Sequence, residues 1–151
     1  MKATVPMTAL LTSLALAGCV QHQPPRDLPG PVMSIQEAKN WSVERRKDEM
    51  LRDLATCESG GHGEADRPIV GGRGAYLGRF QFMPTTVIAF VQQMDCRQLS
   101  LTEARELAHD YERAAQLAKF VIFEKDGIGN WPLCTRKLGL RAQVAEIKAQ
   151  Q

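Results

Sequence analysis

The sequence predicts a predominantly helical α+β fold, and three observations carry that prediction. Apolar residues return every three to four positions through most of the chain, the period of a helix with one buried face. Two boxes of the S/T-x-x-E type, Ser34–Glu37 and Ser100–Glu103, mark helix starts. One stretch from Gly60 to Gly78, "GGHGEADRPIVGGRGAYLG", interrupts the helical pattern with glycines and reads as a loop with room for a short hairpin.

Taken in order, residues 1–18 form a secretory signal: Lys2, an apolar stretch through Leu16, then small residues, too short to span a membrane. The end of this segment, Leu16-Ala17-Gly18-Cys19, resembles the lipobox of bacterial lipoproteins. That resemblance implies cleavage before Cys19 and a diacylglycerol on its thiol. Val20 in place of Asp resembles the outer-membrane pattern, so the expected location is an outer-membrane lipoprotein facing the periplasm. Ordinary cleavage after Ala15-Leu16-Ala17 is the alternative and would leave a periplasmic or envelope protein. Residues 19–33 hold the lipidated Cys and a tether with four prolines. Its fourteen residues after Cys19 reach roughly 43 Å if extended.

Residues 34–151 are expected to form a single folded domain. Ile35, Ala38 and Trp41 begin an apolar stripe, and Met50, Leu51, Leu54 and Ala55 continue one after the charged "ERRKDE". Whether one helix or two spans 34–58 is left open by this pattern; Gly60 and Gly61 stop it. "RFQF" reads as a strand edge. Pro84 suits a first helical turn, with Val87, Ile88 and Val91 on a buried face. Ser100 begins the longest expected helix, whose stripe runs from Leu101 to Ile122 before Gly127. A polar C-terminal segment follows, and no internal repeat is present.

Composition narrows the function classes. With 44% hydrophobic and 24% charged residues over 151, the chain is an ordinary globular one. A net charge of +2 without a basic run points away from nucleic acid. His62, His109, Cys57, Cys96 and Cys134 are metal-ligand types, but no C-x-x-C or H-x-x-x-H spacing joins them, so no metal is expected. "ESGG" is not a G-x-S-x-G elbow, which argues against Ser59 as a nucleophile. Lipidation of Cys19 leaves one pair and one odd thiol; without it all four cysteines can pair.

One placement needs a reason. Glu58, in "CESGG", falls in the last turn of a helix, where unpaired carbonyls disfavour a negative charge. A negative local field and burial both raise a carboxyl pKa, which is what a general acid near neutral pH requires. The bland reading is a helix-end Glu paired with Arg73 or Arg79.

"CESGG", then "YLGRFQF" followed by "PTT", then "GNWPLC", resemble the catalytic domain of the resuscitation-promoting factors, and more broadly lysozyme-like lytic transglycosylases. The likeness spans roughly Leu51 to Lys137. It implies a lysozyme-like domain in which Glu58 is the single catalytic acid and Cys57 and Cys134 form a disulfide. It also implies that Tyr76, Gln81 and Thr86 line the sugar groove, with Trp131 against the same wall. Arg79 stands where the family has a second Gly, Val87 where it has Trp, and the segment around Cys96 looks inserted. The implied activity is cleavage of the MurNAc-β-1,4-GlcNAc bond with formation of 1,6-anhydro-MurNAc ends, without a cofactor. The implied partners are peptidoglycan glycan strands, and the membrane through the N-terminal lipid. A muramidase of the same fold would need a second carboxylate, for which Glu64 and Asp66 are candidates. A non-catalytic wall-binding lipoprotein is the rival outside enzymes. Cys96 is expected to be a buried free thiol.

Overall fold

The computed structural model describes residues 33–60 and 69–151. The signal, Cys19, most of the tether, His62, Glu64 and Asp66 lie outside the described residues. Within them the chain is predominantly helical, with one small antiparallel hairpin.

Helix α1 is continuous over Ile35–Glu58, 24 residues. Its start is fixed reciprocally: the Ser34 hydroxyl accepts from Glu37 N–H at 3.2 Å, and the Glu37 carboxylate accepts from Ser34 N–H at 2.7 Å. The buried face begins only at Val43 and continues through Lys47, Met50, Leu51, Leu54 and Ala55. The expected stripe of Ile35, Ala38 and Trp41 is therefore corrected. Ile35 is 80% and Trp41 56% exposed, because the elements packed on α1 cover it from Val43 onward. The Trp41 ring is met by its own helix instead, with the Arg45 guanidinium 5.1 Å from its centroid.

Strand β1 (Val70–Gly71) pairs with β2 (Tyr76–Leu77), Val70 opposite Leu77 and Gly71 opposite Tyr76. "RFQF" is a turn rather than a strand: Leu77 and Phe82 exchange backbone hydrogen bonds of 2.9 and 3.0 Å around Gly78–Gln81. Gly78 is irreplaceable in this position. Its φ is +69°, and a Cβ there would come within 1.7 Å of the Ala108 carbonyl oxygen.

Helix α2 (Pro84–Asp95) starts with Pro84 at its first position and buries Val87 and Val91 completely. The long helix expected from Leu101 is two, α3 (Leu101–His109) and α4 (Tyr111–Phe123). Asp110 makes the break. Its backbone is extended and its carboxylate accepts from Arg113 N–H at 3.1 Å, which caps a new helix while the apolar stripe stays in phase. A 3₁₀ turn, Gly127–Asn130, leads to the six-residue α5 (Pro132–Lys137) and to α6 (Leu140–Lys148). The C-terminal segment is thus a helix, not merely polar chain: Leu140, Val144 and Ile147 face the core at a spacing of three to four. The core gathers apolar side chains from α1 to α6 around Phe80 and Phe82 of the turn.

Candidate active site

Glu58 is the last residue of α1. Ser59 caps the helix and Gly60 follows at φ +70°, the left-handed stop anticipated from the paired glycines. The side chain of Glu58 is half-buried.

The next wall comes from 77 residues further along. Cys57 and Cys134 form a disulfide with Cα atoms 5.9 Å apart. Cys134 is the third residue of α5, where a helix has unpaired N–H groups. Its backbone N–H donates toward the Glu58 carboxyl. Two helix ends with opposite fields therefore meet at one carboxyl. The C-terminus of α1 disfavours its charge and the N-terminus of α5 favours it. Burial is the larger influence and raises the Glu58 pKa; the Cys134 N–H opposes it, and the net shift is upward.

Glu58 has no part in the ion pairs among the described residues. Arg79 turns elsewhere. Its guanidinium lies 4.5 Å over the Tyr111 ring, and its Nη2 sits 3.4 Å from the Thr56 hydroxyl. Its Nε is buried without a hydrogen-bond partner. Arg79 thus ties the start of α4 to the last turns of α1 and does not neutralise Glu58.

The other anticipated residues divide. Gln81 belongs to the turn that adjoins both walls. It adopts φ +52°, and its Nε2 donates to the Gly78 carbonyl at 2.7 Å while its Oε1 fills the space where a side chain on Gly71 would stand. Its amide is thereby fixed and remains half-buried. Trp131 caps α5 but is only 4% exposed. Its indole N–H donates to the Phe80 carbonyl at 2.8 Å, and Phe82 meets its ring at 5.4 Å. It builds the wall from behind and offers no open face for a sugar. Tyr76 is 43% exposed on β2, over Gly72, and Thr86 is half-buried in the first turn of α2. Neither hydrogen-bonds Glu58. The structure joins Glu58, the disulfide, Trp131 and the 79–82 turn in one assembly, and leaves Tyr76 and Thr86 on neighbouring surface.

Cys96 departs from expectation. It is half-buried and disulfide-bonded, and no free cysteine is present among the described residues. The expectation of a buried free thiol is corrected, since a partly accessible sulfur at a helix end is open to oxidation where a buried one is not. Among the described residues no group of three or more His, Cys, Asp or Glu could hold a metal ion. No described helix is long and apolar enough to cross a membrane.

Sequence reasoning missed the Cys134 N–H as a partner of Glu58, although "NWPLC" held the signal. Pro at the first helical position puts Cys134 third, among the orphan donors of the first turn. The Arg79–Thr56–Tyr111 link left no such trace.

No family model, curated protein or solved structure matches this chain. The function must be argued from the site.

Proposed function

We propose that this chain is a lysozyme-like peptidoglycan lytic transglycosylase in which Glu58 serves first as acid and then as base. The observation that supports it most is the half-buried Glu58 carboxyl at a helix C-terminus, with its pKa raised chiefly by burial and without an ion-pair partner among the described residues. Such a group holds its proton closer to neutral pH than an ordinary Glu. In the proposed reaction Glu58 protonates the oxygen linking N-acetylmuramic acid C1 to the next sugar, and the C1–O bond breaks with its electron pair going to that oxygen. The resulting carboxylate takes the proton of the muramic 6-hydroxyl as O6 bonds to C1, which closes the 1,6-anhydro ring and returns Glu58 to its acid form. The Cys134 N–H is suited to holding the carboxylate between these steps, and the fixed Gln81 amide to orienting the glycan.

The test is mass spectrometry of purified peptidoglycan digested by the mature oxidised chain and by its Glu58→Gln variant. Anhydro-muropeptides from the wild type alone are expected. Reducing-end products would replace the proposal with a muramidase. No product from folded protein would leave a wall-binding protein, a reading favoured by Arg79 standing where the resembled enzymes carry glycine.

Anchoring is proposed through Cys19 in the outer membrane. A thioether at Cys19 leaves three of the four cysteines, whereas a chain cut after Ala17 keeps all four. The disulfide-bonded state of Cys96 is in keeping with an oxidising compartment under either alternative. The intact mass of the membrane fraction separates the two: diacylglycerol on Cys19 supports the anchor, and a full set of disulfides supports a soluble periplasmic form.

A further inference from the structure

Helix α1 carries two apolar faces, and the folded body covers one of them. Val43, Lys47, Met50, Leu51 and Leu54 are buried. Ile35, Ala38 and Trp41 share a stripe about 180° away around the same helix, at 3.6 residues per turn. Every residue from Met33 to Ser42 is exposed, so the first two turns stand clear of the body. Ile35, at 80%, is the most exposed large apolar side chain among the described residues, and Trp41 (56%) and Met33 (48%) belong to the same helix start. The remaining ones are Val70 and Tyr76 of the hairpin and single residues at the starts of α2, α3 and α5. Beyond Trp41 the stripe turns charged: Arg45, Glu49 and Arg52 follow on the same face, all exposed, and the Arg45 guanidinium lies 5.1 Å over the Trp41 ring.

An apolar helix end with a tryptophan at its border and cations just beyond suits the edge of a bilayer. There the indole ring lies at headgroup level and cationic side chains reach back to water. A folded partner fits less well: the ten exposed residues 33–42 fall short of the roughly 20–30 a side that a stable protein interface uses. The chain also leads to a membrane from this end, since the residues before Met33 run back to Cys19, the site of the proposed lipid. We propose that the first two turns of α1 are a second membrane contact, with Ile35 and Trp41 seated in the headgroup region of the phospholipid surface that the Cys19 lipid enters. The inference deepens the anchoring reading and rests on it for what brings this stripe to the bilayer; it does not depend on the glycan reaction. Two attachments also orient the domain. Helix α1 has 24 residues and ends at Glu58, so the contact places the candidate site at the far end of a continuous helix about 36 Å long.

The test reads Trp41 itself. The chain has two tryptophans, and Trp131 is only 4% exposed, so Trp41 is the reporter and Trp131 the buried control. The mature chain, with the state of Cys19 established by intact mass, is incorporated into or mixed with vesicles of phosphatidylethanolamine and phosphatidylglycerol carrying brominated acyl chains. A blue shift and quenching are expected, both lost in Trp41→Phe. Ile35→Ser, at an exposed position whose change leaves the core untouched, is expected to lower the Trp41 quenching constant roughly threefold. Trp41 unquenched in a chain with lipid on Cys19 overturns the contact alone, and unquenched in a chain without that lipid overturns contact and anchor together. Quenching that Ile35→Ser leaves unchanged also overturns the contact. So does a blue shift that needs no vesicles: growing with protein concentration it assigns the stripe to a second copy, and constant with concentration to the chain's own residues before Met33. Quenching in a chain without lipid on Cys19, reduced by Ile35→Ser, upholds the contact while counting against the anchor.

Discussion

Glu58 is held between two opposed influences, and their balance has a consequence for stability as well as for chemistry. Its pKa is raised in the folded protein, by burial first and against the Cys134 N–H. A folded value above the unfolded one means that the native state binds this proton more tightly. Glu58 therefore contributes stability that is fully present below the ordinary glutamate pKa and is lost as pH rises through the folded value. Glu58→Gln cannot ionise, so it is expected to melt above the wild type near pH 7, with the gap closing toward about pH 4. Thermal melts at the two pH values read this directly, and a pH-independent gap would show that the carboxyl titrates alike in both states. The same variant is expected to lose about a hundred- to ten-thousandfold in glycan cleavage if Glu58 is the acid. Greater stability with less activity is the pattern of a residue placed for its reaction.

At the level of elements, α1 carries a second ionic arrangement far from its C-terminus. Lys47 is buried, 5% exposed, with its ammonium 2.7 Å from Glu44 and 5.0 Å from the Phe123 ring centroid. Lys119 from α4 reaches Glu44 at 3.1 Å and Asp48 at 2.6 Å. Burial alone would raise the Glu44 pKa, but Lys47 and Lys119 hold it below the usual range. The two lysines are unequal in burial, so the partners are unequal in cost. Glu44→Ala leaves Lys47 buried without its carboxylate and is expected to cost about 1–3 kcal/mol, less than a fully buried pair because Glu44 is itself half-exposed. Lys47→Met leaves Glu44 its bond to Lys119 and is expected to cost under about 1 kcal/mol. Urea unfolding of both variants checks the order, and equal losses would remove the distinction. Elements were legible in the sequence where the chemistry is local. Both capping boxes formed, and Pro84 opened a helix, because each depends on residues within one turn. The break at Asp110 was masked by an apolar stripe that stays in phase across it. The exposed start of α1 was misread because periodicity gives a helix an apolar face but not a neighbour to cover it. Helix α6 was passed over because three buried side chains among many charges are a faint signal until α1 is seen beside them.

Over the whole molecule, Cys57–Cys134 joins the end of the first helix to the C-terminal pair. Closing a loop of this separation, 77 residues, is worth roughly 4.5 kcal/mol in the chain-entropy model. Cys57→Ala with Cys134→Ala is expected to lose about 2–4 kcal/mol in urea unfolding of otherwise oxidised protein. A loss below about 1 kcal/mol would mean that packing of α5 and α6 on α1 holds these ends unaided. The pairing followed from resemblance in the sequence, whereas the meeting of Glu58 with a main-chain N–H so far away had no local cue beyond the proline before it. The bond also has a meaning in time. A ribosome finishes Glu58 long before it reaches Cys134, and a chain that has not emerged that far lacks both the sulfur and the N–H that complete the carboxyl's surroundings. Such a chain lacks the N–H that opposes the effect of burial on Glu58. The setting of this carboxyl is complete only once α5 has been made and the Cys57–Cys134 bond has formed.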